Sequence, residues 1–192
     1  MRLIGTVSPD RPLLVVAAHE EAAYLGDGLP VLLTGMGKVN ATAALATVLA
    51  RGDRPSEIVN LGTAGALRSG WAGTHQVSRV LQHDLDTRVL HQLTGRTYGG
   101  PIELGAEPGP VLATGDLFVS DPEARDRLAQ SADLVDMEGY ALATVARRAE
   151  LPIRLIKHVS DEAGAGADRT WRESVDDCAK ILADWVHAQL TF

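Results

Sequence analysis

Residues 57–65, with the sequence EIVNLGTAG, combine two features that decide the fold class. Glu57 to Leu61 is a short apolar run of the kind that forms a buried strand. Gly62 to Gly65 then brings small residues to the end of that strand, where a ligand can approach the backbone closely. In α/β proteins ligands collect outside the carboxyl ends of strands, so we predict a central strand that ends at a binding site.

Similar apolar runs alternate with longer helical stretches along the rest of the chain. The pattern predicts strands at Leu13–Ala18, Val31–Thr34, Glu57–Leu61, Gln76–Gln82, Val111–Thr114, Leu134–Asp136 and Ile153–Ser160. It predicts helices at Lys38–Ala50, Pro122–Gln130, Glu138–Ala149 and Arg169–Leu190. Such alternation is typical of strands joined by helical crossovers. We therefore predict one α/β domain over residues 1–192, a three-layer fold with a central mixed sheet flanked by helices.

The predicted helix Lys38–Ala50 carries no charge after its first residue. A helix that is apolar nearly all round must be covered on more than one side, so we expect a sheet on one face and a second subunit on the other. This favours a homodimer. The stretch Thr94–Pro110 is rich in glycine and proline and shows no periodicity, which predicts an irregular surface loop.

Composition narrows the possible partners. The net charge is −7 and the basic residues are scattered, which argues against nucleic-acid binding. No apolar stretch approaches the roughly 20 residues that cross a bilayer, and no leader-like segment opens the sequence, so we expect a cytoplasmic protein without membrane contact. The single cysteine, Cys178, and the absence of a His-rich spacing predict neither a metal site nor a cofactor.

Five motifs together are more specific than any one strand end. They are Thr34-Gly-Met-Gly-Lys-Val-Asn-Ala41, Asn60-Leu-Gly-Thr-Ala-Gly65, Thr114-Gly-Asp-Leu-Phe118, Val135-Asp-Met-Glu138 and Val159-Ser-Asp161. In order and spacing they resemble the nucleoside phosphorylase superfamily, most closely its methylthioadenosine and S-adenosylhomocysteine nucleosidase branch. The resemblance implies the phosphorylase/hydrolase-like fold and cleavage of the bond between a purine and ribose.

The resemblance also implies two catalytic carboxylates. Asp161, after Ser160, matches the acid that protonates N7 of the purine, although a strand-end aspartate can equally cap a turn. Glu21 matches the glutamate that activates water, with Glu20 beside it as the alternative in register. Thr63 stands where the family usually carries a serine near that water.

Further matches imply contacts to the substrate. Glu138 matches the carboxylate that accepts hydrogen bonds from the ribose hydroxyls, and Met137 matches the methionine that packs on the sugar. Phe118 matches the aromatic residue that stacks on the base, unless it is a core phenylalanine. The backbone of Val119 is expected at the purine edge. Ser160 and the small residues Ala64 and Gly65 complete the predicted binding set.

Two departures from the family pattern bear on the reaction. Lys157 replaces the arginine that family nucleosidases often carry four residues before the acid, and it is expected to hold a water, an anion or nothing. Asn60 occupies the position of an arginine found in hexameric phosphorylases, which favours water over phosphate as the nucleophile. The segment Thr87–Pro110, which helps enclose the 5′ end of the nucleoside in relatives, is remodelled, so the 5′ group stays open.

The predicted function is therefore hydrolysis of a 5′-modified, adenine-type nucleoside to free base and a ribose derivative. Three alternatives stay open: a phosphate-dependent purine nucleoside phosphorylase, a futalosine hydrolase, and a nucleoside-binding module without activity. Turnover with and without added phosphate distinguishes a hydrolase from a phosphorylase. Binding of a nucleoside without base release identifies the binding module.

Overall fold

The computed structural model describes residues 1–52, 54–105 and 108–190. Ten strands form one sheet: β1 Arg2–Ile4, β2 Leu13–Val16, β3 Val31–Leu33, β4 Ile58–Ala66, β5 Thr74–Gln76, β6 Arg79–Gln82, β7 Ile102–Glu103, β8 Val111–Thr114, β9 Leu134–Asp136 and β10 Ile153–Asp161. The α-helices are α1 Lys38–Ala50, α2 Thr87–Thr94, α3 Pro122–Leu128, α4 Gly139–Arg148 and α5 Ala167–Gln189. A single 3-10 turn, Glu20–Ala22, follows β2. None of the described helices is long and apolar enough to cross a membrane.

The sheet is mixed, with the strand order β1-β3-β2-β4-β9-β8-β6-β7 and with β10 and β5 added at the second edge of β4. The pairs β3-β2, β2-β4, β4-β10, β9-β8 and β8-β6 are parallel. The pairs β1-β3, β5-β10, β7-β6 and β4-β9 are antiparallel. The predicted fold class, a mixed sheet between helices, is confirmed.

Strand β2 shows how the sheet separates two helical layers. Its four side chains are fully buried, and they alternate between the two faces. Leu13 and Val15 pack in a cluster with α1 and α4, whereas Leu14 and Val16 pack in a cluster with α5. Because both faces are covered, the strand is apolar throughout rather than alternating with polar residues.

Strand β4 changes partner along one of its edges, and this creates the site. At its start, residues 58–60 pair with β2, and at its end Gly65 and Ala66 pair with β9. Its opposite edge pairs with β10 from Ile58 to Gly65. The stretch 61–64 therefore lacks a strand neighbour on the first edge, and a hollow opens there between the ends of β2 and β9.

Two of the predicted strands need correction. The strand predicted as Glu57–Leu61 continues to Ala66, because the small residues that follow Leu61 still pair with β10. The strand predicted as Gln76–Gln82 is two strands, β5 and β6, because the chain changes partner from β10 to β8 at Val77 and Ser78.

The remaining corrections concern the segment Thr87–Pro110. It begins with helix α2, which Asp86 caps by accepting a hydrogen bond from the Val89 N–H, and which Gly95 ends at a φ of 69°. It also contains β7, a short partner of β6. Of the predicted irregular stretch Thr94–Pro110, residues 106 and 107 lie outside the described residues. Strand β1 has no counterpart among the predicted strands.

Candidate active site

A cavity of about 260 Å³ lies in the gap where β4 changes partner. All eleven predicted site residues line it: Glu21, Thr63, Ala64, Gly65, Phe118, Val119, Met137, Glu138, Lys157, Ser160 and Asp161. They come from five separate stretches of sequence, so only the fold brings them together. Their chemical roles stay predictions.

Glu21 is fixed by backbone groups that the split of the sheet leaves free. The N–H of Thr63 lies in the unpaired stretch of β4 and donates to Glu21 Oε1 at 2.7 Å, and the Thr63 hydroxyl donates to the same oxygen at 2.8 Å. The Ala18 N–H, just past β2, donates to Oε2 at 3.2 Å. Glu21 is buried and lines the cavity, whereas Glu20 is exposed to solvent. Of the two glutamates, Glu21 is therefore the one that the fold brings to the cavity, and its role as base stays a prediction.

Lys157 supplies the cation at the floor of the cavity. Its Nζ lies 2.8 Å from Asp136 Oδ2, and both side chains are only 1% exposed. Burial alone would lower the pKa of this ammonium, but the charges of Asp136, Glu138 and Glu21 outweigh burial and raise it. Lys157 is therefore a permanent cation. A β-carbon on Gly62 would stand 3.3 Å from its Nζ and 3.5 Å from Glu21 Oε1, so a glycine at this position leaves room for both groups.

Asp136 joins Lys157 to its surroundings. Its Oδ1 accepts a hydrogen bond from the Thr114 hydroxyl at 2.6 Å, and its Oδ2 accepts one from the Gly139 N–H at 2.8 Å as well as contacting Lys157. These buried donors hydrogen-bond both oxygens of the Asp136 carboxylate, so protein groups replace water around it. This one side chain thereby connects β8, β9, β10 and the start of α4.

Glu138 shares the same buried charge cluster. Its Oε1 accepts a hydrogen bond from the Gly37 N–H at 2.7 Å, so the loop before α1 holds it in place. Burial raises the pKa of Glu138 to about 8, and the nearby Asp136 adds to the effect, although Lys157 and the Gly37 hydrogen bond oppose it. Glu138 therefore keeps its proton to a higher pH than an ordinary glutamate.

Asp161 lies beside Gly65, just past the unpaired stretch of β4. Its Oδ1 accepts a hydrogen bond from the Ala163 N–H, and its Oδ2 accepts one from the Ser160 hydroxyl, both at 2.8 Å. The first contact is the turn cap that the sequence left open as an alternative. Oδ1 also lies 3.1 Å from the point where a β-carbon on Gly65 would stand, so glycine allows the carboxylate to approach β4.

The outer wall of the cavity is apolar and partly exposed. Phe118 is 45% exposed and Leu117 is 70% exposed, so Phe118 is not a core residue. Met36 and Met137 also face the cavity. A flat aromatic ring and two thioethers suit the face of a planar, weakly polar ligand.

Some residues of this cavity were not predicted from the sequence. They are Ala17, Met36, Asn60, Leu61, Gly62, Leu117, Val135, Asp136, Asp168, Trp171 and Arg172. Asp136 stood inside a quoted motif, and its position at a strand end was an available signal. Trp171 and the ion pair between Arg172 and Asp168, 2.7 Å long, come from the first turns of α5, where only the packing of that helix against β4 brings them to the cavity.

Comparison with known proteins agrees with the motif resemblance. Residues 107–189 match the model of the phosphorylase superfamily. A 5′-methylthioadenosine/S-adenosylhomocysteine nucleosidase of Geobacillus sp. (strain WCH70) is 30% identical over 204 residues, which cover 92% of this chain and 87% of the relative. The nucleosidase of the same description from Geobacillus thermodenitrificans is 29% identical over 95% of this chain and 88% of that protein.

Solved structures show the same fold. A mutant nucleosidase of Helicobacter pylori, with 5′-methylthioadenosine in its active site, superposes with a TM-score of 0.81 at 20% identity, over 93% of this chain and 97% of that one. The futalosine hydrolase of the same organism gives a TM-score of 0.81 at 20% identity, over 93% and 96%. At such identities the likeness concerns the fold alone. The sequence relatives show more than the fold, because one of them is 30% identical over 92% of this chain. The chain therefore belongs to the nucleoside phosphorylase superfamily, on the branch of the 5′-methylthioadenosine/S-adenosylhomocysteine nucleosidases.

Proposed function

We propose that the chain is an N-ribosyl hydrolase that cleaves the bond between a purine base of the adenine type and a 5′-modified ribose. One observation carries the proposal: Glu21 and Asp161 both face one cavity, Glu21 beside Thr63 and Asp161 beside Gly65 of β4. Hydrolysis of a glycosidic bond needs two such groups, one to activate water and one to protonate the leaving group.

The spacing of the two carboxylates supports hydrolysis by a directly attacking water. Glu21 bonds to Thr63, and Asp161 lies against Gly65, two residues further along β4. Two residues of strand span about 6.6 Å. Glycosidases that invert configuration hold their carboxyl groups about 6.5–9.5 Å apart, which leaves room for a water molecule between one of them and the sugar.

The proposed reaction moves two protons and exchanges one bond. A water held by Glu21 gives a proton to that carboxylate while its oxygen bonds to C1′ of the ribose. The C1′–N9 bond breaks, its electron pair goes to the base, and Asp161 gives a proton to N7. The Ser160 hydroxyl can reverse and accept a hydrogen bond from the protonated Asp161, because a hydroxyl is both donor and acceptor.

Substrate contacts follow the predicted roles. Glu138 accepts hydrogen bonds from the 2′- and 3′-hydroxyls, Met137 packs on the sugar, and Phe118 stacks on the base. The backbone of Val119 hydrogen-bonds the purine edge, and the small side chains of Ala64 and Gly65 leave space for the nucleoside. Lys157 binds Asp136 and offsets the charge of Glu21, and also that of Glu138 when Glu138 is ionised.

The charge of the cavity favours water over phosphate as the nucleophile. Among its described residues, five are acidic, namely Glu21, Asp136, Glu138, Asp161 and Asp168, and two are basic, Lys157 and Arg172. Lys157 is paired with Asp136 and Arg172 with Asp168. A phosphate dianion would therefore meet more like charge than opposite charge.

The relatives favour a thio-substituted 5′ group. Those named above act, by their names, on 5′-methylthioadenosine and S-adenosylhomocysteine, and they match most of this chain. Futalosine is the second candidate substrate, on the fold likeness to the futalosine hydrolase of Helicobacter pylori.

The first prediction concerns the acid. Asp161→Asn removes the proton that the base needs, so kcat for base release should fall by at least about 100-fold while the Kd of the nucleoside changes little. Glu162→Gln is the matched control, because Glu162 is adjacent and exposed and should leave kcat unchanged. Initial rates by liquid chromatography and Kd by calorimetry check this. Unchanged turnover in Asp161→Asn would remove the assignment.

The second prediction concerns the base. Glu21→Gln keeps the shape of the side chain but cannot take a proton from water, so kcat should fall by about 100-fold. Its neighbour Glu20 is exposed, so Glu20→Gln should behave as wild type. Steady-state kinetics of both variants provides the measurement. A loss of activity in Glu20→Gln with a normal Glu21→Gln would reverse the assignment.

The third prediction follows from the raised pKa of Glu138, about 8. At pH 7 about a tenth of Glu138 is ionised, and only this form offers acceptors to both ribose hydroxyls. The Kd of 5′-methylthioadenosine for Asp161→Asn should therefore fall about tenfold from pH 7 to pH 9. The matched control ligand is 2′,3′-dideoxyadenosine, which lacks both hydroxyls and should show no such change. Equal pH dependence for both ligands contradicts the role of Glu138.

We also propose a homodimer, formed through the outer face of α1. This face carries Val39, which is 76% exposed, together with the exposed Thr42, Ala43, Ala46 and Thr47, and it has no charge. Met36 and Leu117, also exposed, lie at the adjacent mouth of the cavity. A partner that covers this face would remove a continuous uncharged surface from water.

The fourth prediction tests this arrangement. Light scattering at micromolar concentration should give twice the chain mass of 20.4 kDa. The double substitution Val39→Asp and Ala43→Glu should give a monomer, because it places charge in the interface. Ile181→Asp, on the exposed side of α5 across the sheet, is the control and should stay dimeric. A monomeric wild type would refute the dimer.

A further inference from the structure

Trp171 makes a polar contact that neither the motifs nor the relatives assign. Its indole N–H donates to Thr63 Oγ1 at 2.9 Å, across 108 residues of sequence. The same Thr63 oxygen lies 2.8 Å from Glu21 Oε1. The three side chains therefore form a continuous hydrogen-bonded chain from helix α5 to the proposed base.

The chemistry of the groups fixes the direction of this chain. An indole N–H can only donate, and an ionised carboxylate can only accept. The Thr63 hydroxyl has a single proton, so it accepts from Trp171 and donates to Glu21. No other assignment of hydrogens satisfies both contacts.

From this geometry we infer that Trp171 is a positioning residue for the water-activating step, acting through Thr63 on Glu21. This inference rests on the proposed function. With its proton directed at Oε1, the Thr63 hydroxyl joins the Thr63 N–H on that oxygen. Oε2 receives only the longer contact from Ala18, at 3.2 Å, and is the oxygen left for water. Trp171 thus reinforces the Thr63 N–H in occupying Oε1, so that Oε2 is the oxygen that acts.

Helix α5 positions Trp171 relative to Thr63 and Glu21. Trp171 lines the cavity from the first turns of α5, and that helix packs against the turn that holds Glu21. A hydrogen bond in a site shielded from water strengthens the next one in the chain by polarisation. Loss of the indole N–H leaves the hydroxyl free to rotate, so the carboxylate loses part of its orientation.

The test is a double-mutant cycle on kcat. Trp171→Phe removes the N–H and keeps an aromatic ring, and it should lower kcat about fivefold with KM changed less than about twofold. Thr63→Val removes the hydroxyl and should lower kcat further, whereas Thr63→Ser should retain most of the wild-type rate. Combining Trp171→Phe with Thr63→Val should cost no more than Thr63→Val alone, because the N–H then has nothing to act through. Trp185→Phe, on the same helix but packed in an apolar cluster and not among the residues that line the cavity, is the matched control and should leave kcat unchanged.

An NMR measurement tests the contact without activity. The chain has three tryptophans, and the indole N–H signal lost in Trp171→Phe identifies Trp171. That signal should move upfield in Thr63→Val and stay near its wild-type position in Thr63→Ser, while the signals of Trp71 and Trp185 stay in place.

The possible results distinguish a failure of the proposed function from a failure of the role of Trp171. A wild type that releases no base contradicts the proposed function, and the NMR signal still decides whether the chain of hydrogen bonds exists. An active wild type whose two substitutions add independently in kcat overturns the role of Trp171 alone. If the indole N–H signal of Trp171 does not move in Thr63→Val, the hydrogen bond between Trp171 and Thr63 is absent and the inference is wrong.

Discussion

The arrangement of the whole site depends on one buried ammonium, that of Lys157. It lies on β10 with Asp136 at 2.8 Å and with Glu138 and Glu21 close enough to raise its pKa. The buried carboxylates of Asp136 and Glu21 would be expensive to desolvate without this cation, and a buried pair that loses one partner is typically destabilised by about 3–5 kcal/mol. Because Asp136 also binds Thr114 and the Gly139 N–H, the pair fixes the relative positions of three strands and a helix. The departure from the family's arginine at this position therefore keeps the charge and gives it a single close partner.

The second constraint is the change of partner along β4. A strand edge without a neighbour has free N–H groups, and here the one at Thr63 binds the Glu21 carboxylate rather than another strand. Just past this unpaired stretch of β4, Gly65 has no side chain and so lets the Asp161 carboxylate approach the backbone. The sheet topology itself thus sets the separation of the two carboxylates. This explains why residues from five distant stretches of sequence meet at one cavity.

The sequence was informative where the local pattern and the family motifs agree. Helix α1 was predicted with its observed bounds, Lys38–Ala50, and the strands near Leu13, Val111 and Leu134 were found in place. Prediction was wrong where tertiary pairing overrides local composition. The glycines after Leu61 continue β4 because β10 supports them, and α2 has a cap and a stop signal but no buried residue that would mark a core-facing period.

The same distinction holds for the site. Motifs placed Asp161, Glu138 and Phe118 at the cavity, and only the structure separated Glu21 from Glu20 by burial. Asp136 and Trp171 were missed because their importance lies in contacts with Lys157 and Thr63, which are distant in sequence. A residue whose role is to orient another side chain leaves no local pattern, so it becomes visible only when the partner is in place.

The most direct test of the central claim is release of free base from a panel of purine nucleosides, first without and then with added phosphate. The panel includes 5′-methylthioadenosine, S-adenosylhomocysteine, adenosine and futalosine. We predict that the protein releases base without phosphate and that added phosphate does not increase the rate. Release that requires phosphate would contradict hydrolysis and identify a phosphorylase, and binding without any release would identify a nucleoside-binding module.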